Sequence, residues 1–377
     1  MNNNPFISMT ENDEEYLTSR CSLNKVILAK LPLYGIEDSM EGKSMSELFG
    51  AGIIIDEIKN CADALGINLS DYKTMDLPKI LDEKIDEGNE EAIRIARKYG
   101  SRLGMFFLVL KTGLYENRAA REDWDDEHWE YWANIDTVYL AGGLAAGRMG
   151  EYMLMVVKEM FEKANVPMYN IVRNTNSSEM GAKGCLTVLE DDNDVHILFD
   201  FGQTKIKRLI AVRRYYKDNE EDTADDSFDK EYTLIKLPSI KSINMDWYVE
   251  DVKERRRQAE ELHNYIVENI VNTYNEALQY GDIRWEIIIS IASYVKEGRI
   301  NSDRSGYAKL CMLSPNYAGY LANVLEDRLN RKIIIKLVHD GTAAALYYKG
   351  AKNSVCITVG TAFGVGFPDI NLKPRIL

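Results

Sequence analysis

Apolar and polar residues follow two different periods along the chain, and these periods predict its helices and strands. Up to about residue 135 apolar positions recur at helical spacing, and 90–115 becomes apolar enough for a buried helix. Beyond that point short apolar runs alternate with helical segments, which predicts an α/β protein. The predicted helices are 45–66, 90–115, 151–165, 249–281 and 316–330; the predicted strands are 166–172, 209–216, 286–293 and 332–338, with strand–turn–strand hairpins at 195–216 and 354–370.

Four other segments are interpreted from their composition. The acidic segment 121–136 carries three tryptophans and is interpreted as an amphipathic helix or loop that packs these rings on the surface, with carbohydrate stacking as the weaker alternative. The small residues of 174–190 suit a closely packed helix. We expect the polar stretch 190–194 to be a domain boundary and the charged stretch 217–231 to be a solvated hairpin tip.

Composition bounds the protein class. The chain has 377 residues, 45% of them hydrophobic, which favours a folded protein of two domains. Its formal charge of −14 argues against non-specific binding to nucleic acid or anionic membranes. No apolar run approaches the length of a membrane span, and no secretory leader is expected. The five scattered cysteines have neither disulfide nor zinc spacing, so we expect reduced thiols, a cytoplasmic protein and no zinc-type metal site.

Three glycine turns each follow a short apolar run, at 137–147, 195–207 and 354–367. Such a turn can present backbone N–H groups to phosphate oxygens. The alternative is a plain hairpin turn for the second and third, and close packing for the first. None of the three matches the P-loop pattern, so a P-loop ATPase is not expected.

Two aspartates, each at the end of an apolar run, are the candidates for metal binding and proton transfer. Asp200 ends a buried strand, where a carboxylate suits a Mg²⁺ ion that is bound through water. Asp340 follows the strand 332–338 and opens a segment of small residues that begins a helix. A carboxylate in that position is partly desolvated yet held in place, which suits accepting a hydroxyl proton during phosphoryl transfer. The alternative for Asp340 is a helix N-cap.

Together these segments resemble the nucleotide-binding motifs of the actin, heat-shock-chaperone and sugar-kinase superfamily. The likeness is nearest to the repressor–ORF–kinase (ROK) group, with hexokinases more distant, and it covers most of residues 40–367. FDFGQTKIK (199–207) is similar to the phosphate-1 hairpin, VHDGTAAAL (338–346) to the catalytic-Asp segment, ITVGTAFGVG (357–366) to phosphate-2, and VYLAGGLAA (138–146) with the helix GAKGCL (181–186) to the adenosine region.

The resemblance implies a two-lobed, actin-like (ribonuclease H-like) α/β fold. Because the adenosine region comes first here, the sequence looks circularly permuted. The implied domains are 1–190, a helix-rich lobe equivalent to the later part of the C-terminal lobe; 195–350, equivalent to the N-terminal lobe; and 351–377, the phosphate-2 hairpin that completes the first lobe. The new termini would fall beyond that hairpin.

The resemblance also implies an activity: phosphoryl transfer from ATP, with Mg²⁺, to a hydroxyl of a small molecule, a sugar being the expected acceptor. The nucleotide would lie in the cleft between the lobes, and a homodimer is compatible with this assignment. Asp340 would be the catalytic base and Asp200 would orient hydrated Mg²⁺. The ATP phosphates are assigned to Gly202, Gln203, Thr204, Lys205, Gly360, Thr361 and Ala362, the adenosine to Gly142 and Gly143, and the acceptor to Asn316 and His339; for Asn316 a helix cap is the alternative.

This sequence also departs from the family pattern. The ROK substrate element Glu-Gly-His and the cysteine-rich zinc motif are not found, and His339 stands where the family has Asn. The alternative function is therefore a catalytically impaired nucleotide- or sugar-binding sensor or scaffold that retains the fold. A DNA-binding repressor is not expected, because no basic helix-turn-helix segment precedes the lobes.

Overall fold

The computed structural model describes residues 4–36, 39–176, 179–189, 195–214, 232–302 and 305–372. The predicted boundary at 190–194 and the predicted hairpin tip at 217–231 lie outside these residues. The chain divides into two compact units. Unit 1 comprises Met1–Phe6, Arg20–Ser178 and Gly350–Asp369, and unit 2 comprises Ile7–Ser19, Glu179–Lys349 and Ile370–Leu377.

Four of the predicted helical segments each correspond to one long helix, whereas 45–66 divides into three helices and the helix at Leu77–Asp86 was not predicted. The α-helices of the described residues are α1 (Met45–Leu48), α2 (Ala51–Asn60), α3 (Ala62–Leu65), α4 (Leu77–Asp86), α5 (Glu90–Thr112), α6 (Tyr115–Ala119), α7 (Asp126–Asn134), α8 (Gly143–Ala146), α9 (Arg148–Ala164), α10 (Met180–Leu186), α11 (Val252–Ala277), α12 (Tyr317–Leu329) and α13 (Asp340–Leu346). The long helix α5 has local signals at both ends. Asn89 Oδ1 accepts from the Ala92 N–H at its start, and Gly113 ends it in the left-handed region at φ 50°.

The strands include both predicted hairpins. They are β1 (Ile7–Met9), β2 (Glu15–Leu17), β3 (Thr137–Ala141), β4 (Asn170–Arg173), β5 (Val195–Phe201), β6 (Lys205–Arg213), β7 (Tyr232–Lys241), β8 (Ile283–Ile291), β9 (Val295–Lys296), β10 (Arg299–Ile300), β11 (Ile334–His339), β12 (Ser354–Val359) and β13 (Phe363–Gly366). The predicted α/β class is thereby confirmed.

Unit 2 is built on a five-stranded sheet of order β11-β8-β5-β6-β7. The strands β11, β8 and β5 run parallel, whereas β6 and β7 continue from β5 as antiparallel neighbours. Helices α11 and α12 contribute apolar side chains such as Ile266 and Leu321 to the same buried cluster as Phe199 and Ile289 of the sheet. The central strands therefore form a rigid platform, and their carboxyl ends reach one edge of the sheet.

Unit 1 is built on a four-stranded sheet of order β13-β12-β3-β4, in which β12, β3 and β4 are parallel and β13 is antiparallel. Helices α5 and α9 pack closely in this unit because glycines lie at their contact. A methyl group on Gly100 would come within 2.8 Å of the Val156 Cβ. Small residues thus allow the two long helices to approach each other.

The two sheets share one arrangement of strands. In each, the first strand of a hairpin lies beside two consecutive parallel strands: β5–β6 with β8 and β11 in unit 2, and β12–β13 with β3 and β4 in unit 1. The hairpin precedes its parallel strands along the chain in unit 2 but follows them in unit 1. The same local topology is therefore built twice, with a different chain order.

The tryptophans of 121–136 are buried, so the prediction that they pack on the surface is wrong. Trp124, Trp129 and Trp132 are 5%, 1% and 1% exposed. Phe6 and Phe367, from opposite ends of the chain, lie 5.3 and 6.3 Å from the Trp124 and Trp132 rings respectively. The rings are thus covered by residues far away in sequence, which local periodicity does not reveal, and they are not accessible for carbohydrate stacking.

The small-residue helix α10 packs against α13 within unit 2. A methyl group on Gly184 would overlap the carbonyl oxygen of Ala343, so glycine is needed for this approach. The predicted close packing of 174–190 is confirmed for the part that forms α10. Separately, no helix in the described ranges has the length and apolar character needed to span a membrane.

Candidate active site

Asp200 lies at the carboxyl end of β5, one residue before the strand ends. The sheet register places Ser290 of β8 on one side of it and Lys207 of β6 on the other. Ser290 Oγ donates to Asp200 Oδ1 at 3.2 Å, and Lys207 Nζ donates to Oδ2 at 2.7 Å. Both carboxylate oxygens are thus held, and the charge of Asp200 raises the pKa of Lys207.

Asp340 follows directly after β11, the next parallel strand beyond β8, and is the first residue of α13. It is not the helix N-cap, which is His339, so the N-cap interpretation of Asp340 is wrong. Burial, and then the negative charge of Asp200, raise the pKa of Asp340 to about 7, while the Gly341 N–H and Lys207 act in the opposite direction. With 38% of its side chain exposed, the carboxyl group still meets solvent. Such a group exchanges a proton near neutral pH.

His339 holds the other side of Asp340. Its Nδ1 accepts from the Thr342 backbone N–H at 3.2 Å, which requires Nδ1 to be unprotonated. Burial lowers the pKa of His339 to about 3, so the ring is neutral at pH 7 and its proton lies on Nε2. Nε2 lies 3.3 Å from Asp340 Oδ1, and the ring stacks on Tyr294 with centroids 4.7 Å apart. The neutral imidazole is thereby held in place with its Nε2 beside the Asp340 carboxylate.

The first glycine-turn hairpin, 202–205, connects β5 and β6 next to Asp200. The Gly202 carbonyl accepts from Ser242 Oγ at 2.8 Å and from the Tyr307 hydroxyl at 3.0 Å, so the turn is anchored from outside the hairpin. Thr204 and Lys205 are exposed, whereas Gln203 Nε2 donates to the Ala292 carbonyl at 3.5 Å. The tip therefore offers the side chains of Thr204 and Lys205 to solvent on a rigid base.

The second turn, Gly360–Ala362, connects β12 and β13 in unit 1. The Gly360 carbonyl accepts from the Ala51 N–H at 2.9 Å, and a methyl group on Gly50 would lie 2.7 Å from the Thr361 carbonyl oxygen. Gly50, at φ 151°, caps the start of α2. This turn is therefore packed against a helix start by its carbonyl groups, and the Thr361 side chain is exposed.

Gly142 and Gly143 follow β3 on the same edge of the unit 1 sheet. A methyl group on Gly142, at φ 98°, would overlap the Val359 carbonyl oxygen, whereas one on Gly143 would meet nothing within 4 Å. Close packing against β12 accounts for the glycine at position 142. Gly143 begins α8 and leaves open space above its backbone.

Asn316 is placed as a helix cap. Its Oδ1 accepts from the Gly319 N–H at 3.2 Å at the start of α12, and the residue is exposed. The structure gives Asn316 no contact with Asp340 or His339. The capping alternative is therefore the role that the structure displays.

The sites described so far fall into two groups. Unit 2 brings together Asp200, Asp340 and His339 with the turn 202–205, and unit 1 brings together the turn 360–362 with Gly142 and Gly143.

Sequence reasoning missed Lys207, Ser290 and Gly50. For Lys207 the signal was the alternation of lysines after the first turn, but its partner depends on strand register. Among the described residues no group of three or more His, Cys, Asp or Glu side chains is arranged to hold a metal ion.

No protein-family model matches the chain, and a comparison with curated proteins also found no match. The chemistry of these groups therefore rests on their own geometry.

Proposed function

We propose that this chain is an ATP-dependent kinase that transfers a phosphoryl group to a hydroxyl of a small molecule, with a sugar as the acceptor class. One observation carries the proposal: Asp340, with a pKa raised to about 7, is coupled to Asp200 at the carboxyl ends of parallel strands. Ligands of open α/β sheets bind at that edge, and a general base is most effective with a pKa near the working pH.

We further propose an actin-like, ribonuclease H-like fold that is circularly permuted. The unit 2 sheet supports it, because three successive antiparallel strands joined to two parallel ones are the strand pattern of a ribonuclease H-like lobe. The unit 1 sheet repeats the hairpin and the two parallel strands, with the hairpin displaced to the end of the chain. Moving that hairpin in front of β3 would restore the chain order of unit 2.

In this mechanism Asp340 accepts the proton of the acceptor hydroxyl as that oxygen bonds to the γ-phosphorus of ATP, while the bond from this phosphorus to the β–γ bridging oxygen breaks and ADP leaves. Oδ1 of Asp340 accepts from the Gly341 N–H at 2.7 Å and faces His339 Nε2, which leaves Oδ2 for the incoming proton. Burial favours the protonated product form, and Lys207 limits the repulsion from Asp200. The site can therefore take up and release this proton near pH 7.

The residues around Asp200 fit a hydrated Mg²⁺ ion. The carboxylates of Asp200 and Asp340 and the hydroxyl of Ser290 supply the hard oxygen atoms that Mg²⁺ prefers, and a hydrated ion beside Asp200 would take the place of the Lys207 ammonium. When bound with ATP, Mg²⁺ neutralises charge on the phosphate oxygens. In this proposal the exposed hairpin 202–205 of unit 2 donates to the phosphates.

The test is ADP release by the purified full chain with Mg·ATP against a panel of hexoses, pentoses and amino sugars. The proposal predicts that at least one sugar raises ADP release above the rate with water alone and yields a sugar phosphate detected by mass spectrometry. ATP binding without stimulation by any acceptor would contradict kinase activity.

A sensor or scaffold is the second candidate, and one contact favours it. Lys207 lies 2.7 Å from Asp200 and occupies the carboxylate that would orient Mg²⁺. A sensor predicts sugar or nucleotide binding by calorimetry with no sugar phosphate formed. Substituting Lys207→Met would then leave turnover absent, whereas a kinase would show an altered rate.

A further inference from the structure

A pocket of about 330 Å³ opens in unit 2 and shares no lining residue with the acidic site around Asp340. Its walls are the segment 246–249 before α11, the first turn of α11 and parts of 302–312. The volume lies at the lower end of the range for small-molecule sites. The pocket is thus large enough for one ring with a substituent.

Two aromatic side chains at the pocket are unusually exposed. Trp247 and Tyr248 are 53% and 52% exposed, while Trp124, Trp129 and Trp132 are buried. The guanidinium of Arg255 lies over the Tyr248 ring, 5.5 Å from its centroid. Adjacent exposed aromatic rings beside a cation offer a flat surface for a ring and an electrostatic partner for its substituent.

The described polar residues that line the pocket carry a net positive charge, although the protein as a whole is acidic. Among the described lining residues, Lys309 and Arg255 face one carboxylate, that of Asp246. Lys309 is only 4% exposed, and its ammonium donates to the Asn244 carbonyl and to Gln258 Oε1, which leaves a third N–H. Within the described ranges Arg255 forms no ion pair, and its buried Nε has no hydrogen-bond partner. A buried donor without an acceptor is costly, so the pocket favours an anion.

We propose that this pocket binds a small organic anion that carries a flat ring, such as an aryl or cyclic phosphate or carboxylate. The ring stacks on Trp247 and Tyr248, and the anionic oxygens accept from Arg255. This inference does not depend on the proposed kinase activity, because none of the residues that carry it belongs to the acidic site.

The test uses three probes on the full chain: phenyl phosphate, which has both ring and anion, inorganic phosphate, which has the anion alone, and benzyl alcohol, which has the ring alone. Binding is followed by isothermal titration and by tryptophan fluorescence, which Trp247 should report because it is exposed. We expect phenyl phosphate to bind with a Kd of about 1 mM or tighter and at least about tenfold more tightly than either of the other probes.

The matched variants are Arg255→Gln and Arg256→Gln. Arg256 is the next residue on α11, and its Nε donates to Glu260 at 3.1 Å outside the pocket, so both variants remove one charge from the same helix. We expect Arg255→Gln to weaken phenyl phosphate binding about tenfold or more, and Arg256→Gln to leave it unchanged within about twofold. Trp247→Phe should keep the binding measured by titration but remove the fluorescence change.

Three results would overturn the proposal. They are no binding of phenyl phosphate to the wild type at about 10 mM, equal weakening by the two arginine variants, and equal binding of phenyl phosphate and inorganic phosphate. Circular dichroism of each variant separates a loss of binding from a loss of folding. We expect Asp340→Asn to bind phenyl phosphate as the wild type does. This variant therefore separates binding at the pocket from the test of kinase activity.

Discussion

The two hairpins of this protein occupy the same topological position in their sheets but carry opposite kinds of residue. At the position before the last residue of the first hairpin strand, unit 2 has Asp200 and unit 1 has Thr358. The register pairs Asp200 with Ser290 and Lys207, whereas it pairs Thr358 with Ala141 and Gly364. One arrangement holds a charged, hydrogen-bonded cluster, and the other is closed by small residues.

The last parallel strand of each sheet shows the same difference. β11 ends at the neutral His339 and is followed by Asp340, whereas β4 ends at Arg173. Arg173 donates to the carbonyls of Ala146 and Gly147 at 2.8 and 2.9 Å and so satisfies the end of α8. A shared strand topology therefore does not by itself create a charged cluster. In unit 2, the charge of Asp200 raises the pKa of Lys207, and burial together with that charge raises the pKa of Asp340; such shifts are a feature that clusters at functional sites.

The largest expected effect comes from removing Asp340, the proposed base in unit 2. Asp340→Asn should reduce kcat by roughly 10²–10⁴-fold, the scale of a positioned general base, while ATP binding changes little. Steady-state ADP release with the best sugar of the panel measures it. Asp327→Asn, an exposed carboxylate on α12, serves as the control with kcat unchanged. Equal rates for Asp340→Asn and the wild type would remove Asp340 from the mechanism.

The next largest effect should come from unit 1, and it should be structural. Gly142→Ala places a methyl group against the Val359 carbonyl at a positive φ, which we expect to cost about 2–4 kcal/mol. Gly143→Ala meets open space and should change stability by no more than about 0.5 kcal/mol. Urea unfolding followed by circular dichroism compares the two, and equal midpoints would contradict the packing role of Gly142.

A smaller effect should follow from removing the positive charge of Lys207 in unit 2. Lys207 lowers the pKa of Asp340, so Lys207→Gln should raise that pKa further above 7. The acid limb of the pH profile of kcat/KM should then move to higher pH by about 1 unit. Lys253→Gln, exposed on α11, controls for the loss of one charge and should leave the limb in place. A shift to lower pH would show that the sign of this coupling is wrong.

The smallest expected effect is on the pH dependence of thermal stability. The folded-state pKa of Asp340, about 7, lies above that of an unfolded Asp, so the folded protein binds this proton more tightly and loses stability as pH rises from about 4 to 7. Asp340→Asn should therefore raise Tm by a few degrees at pH 8 and change it little at pH 4. Scanning calorimetry at the two pH values checks this, and a lower Tm at pH 8 would contradict it.

The sequence alone predicted the elements whose signals are local. The apolar runs of β5, β8 and β11 and the periodic helices α5, α9 and α11 lie close to their predicted positions, because period and length identify them. The strand β7, which contains Pro238, and the short pair β1–β2 were missed. Their place depends on pairing with distant strands, which a single sequence does not encode locally.

The candidate site was predicted residue by residue but not as a cluster. Asp200 and Asp340 were singled out because each follows an apolar strand beside a turn. The effect of Asp200 on the pKa of Asp340 depends on the burial of the site. The Lys207 contact depends on the sheet register, and the protonation of His339 at Nε2 depends on the hydrogen bond that its Nδ1 accepts. The two-lobed nucleotide site and the permutation stay predictions.

The most direct test of the charged cluster is an NMR titration of the Asp340 side-chain carboxyl carbon in the wild-type protein, assigned by comparison with Asp340→Asn. The structure predicts a midpoint near pH 7 that falls toward the ordinary aspartate range in Asp200→Asn, because the charge of Asp200 contributes to the shift. A wild-type midpoint near pH 4, unaffected by Asp200→Asn, would contradict the account.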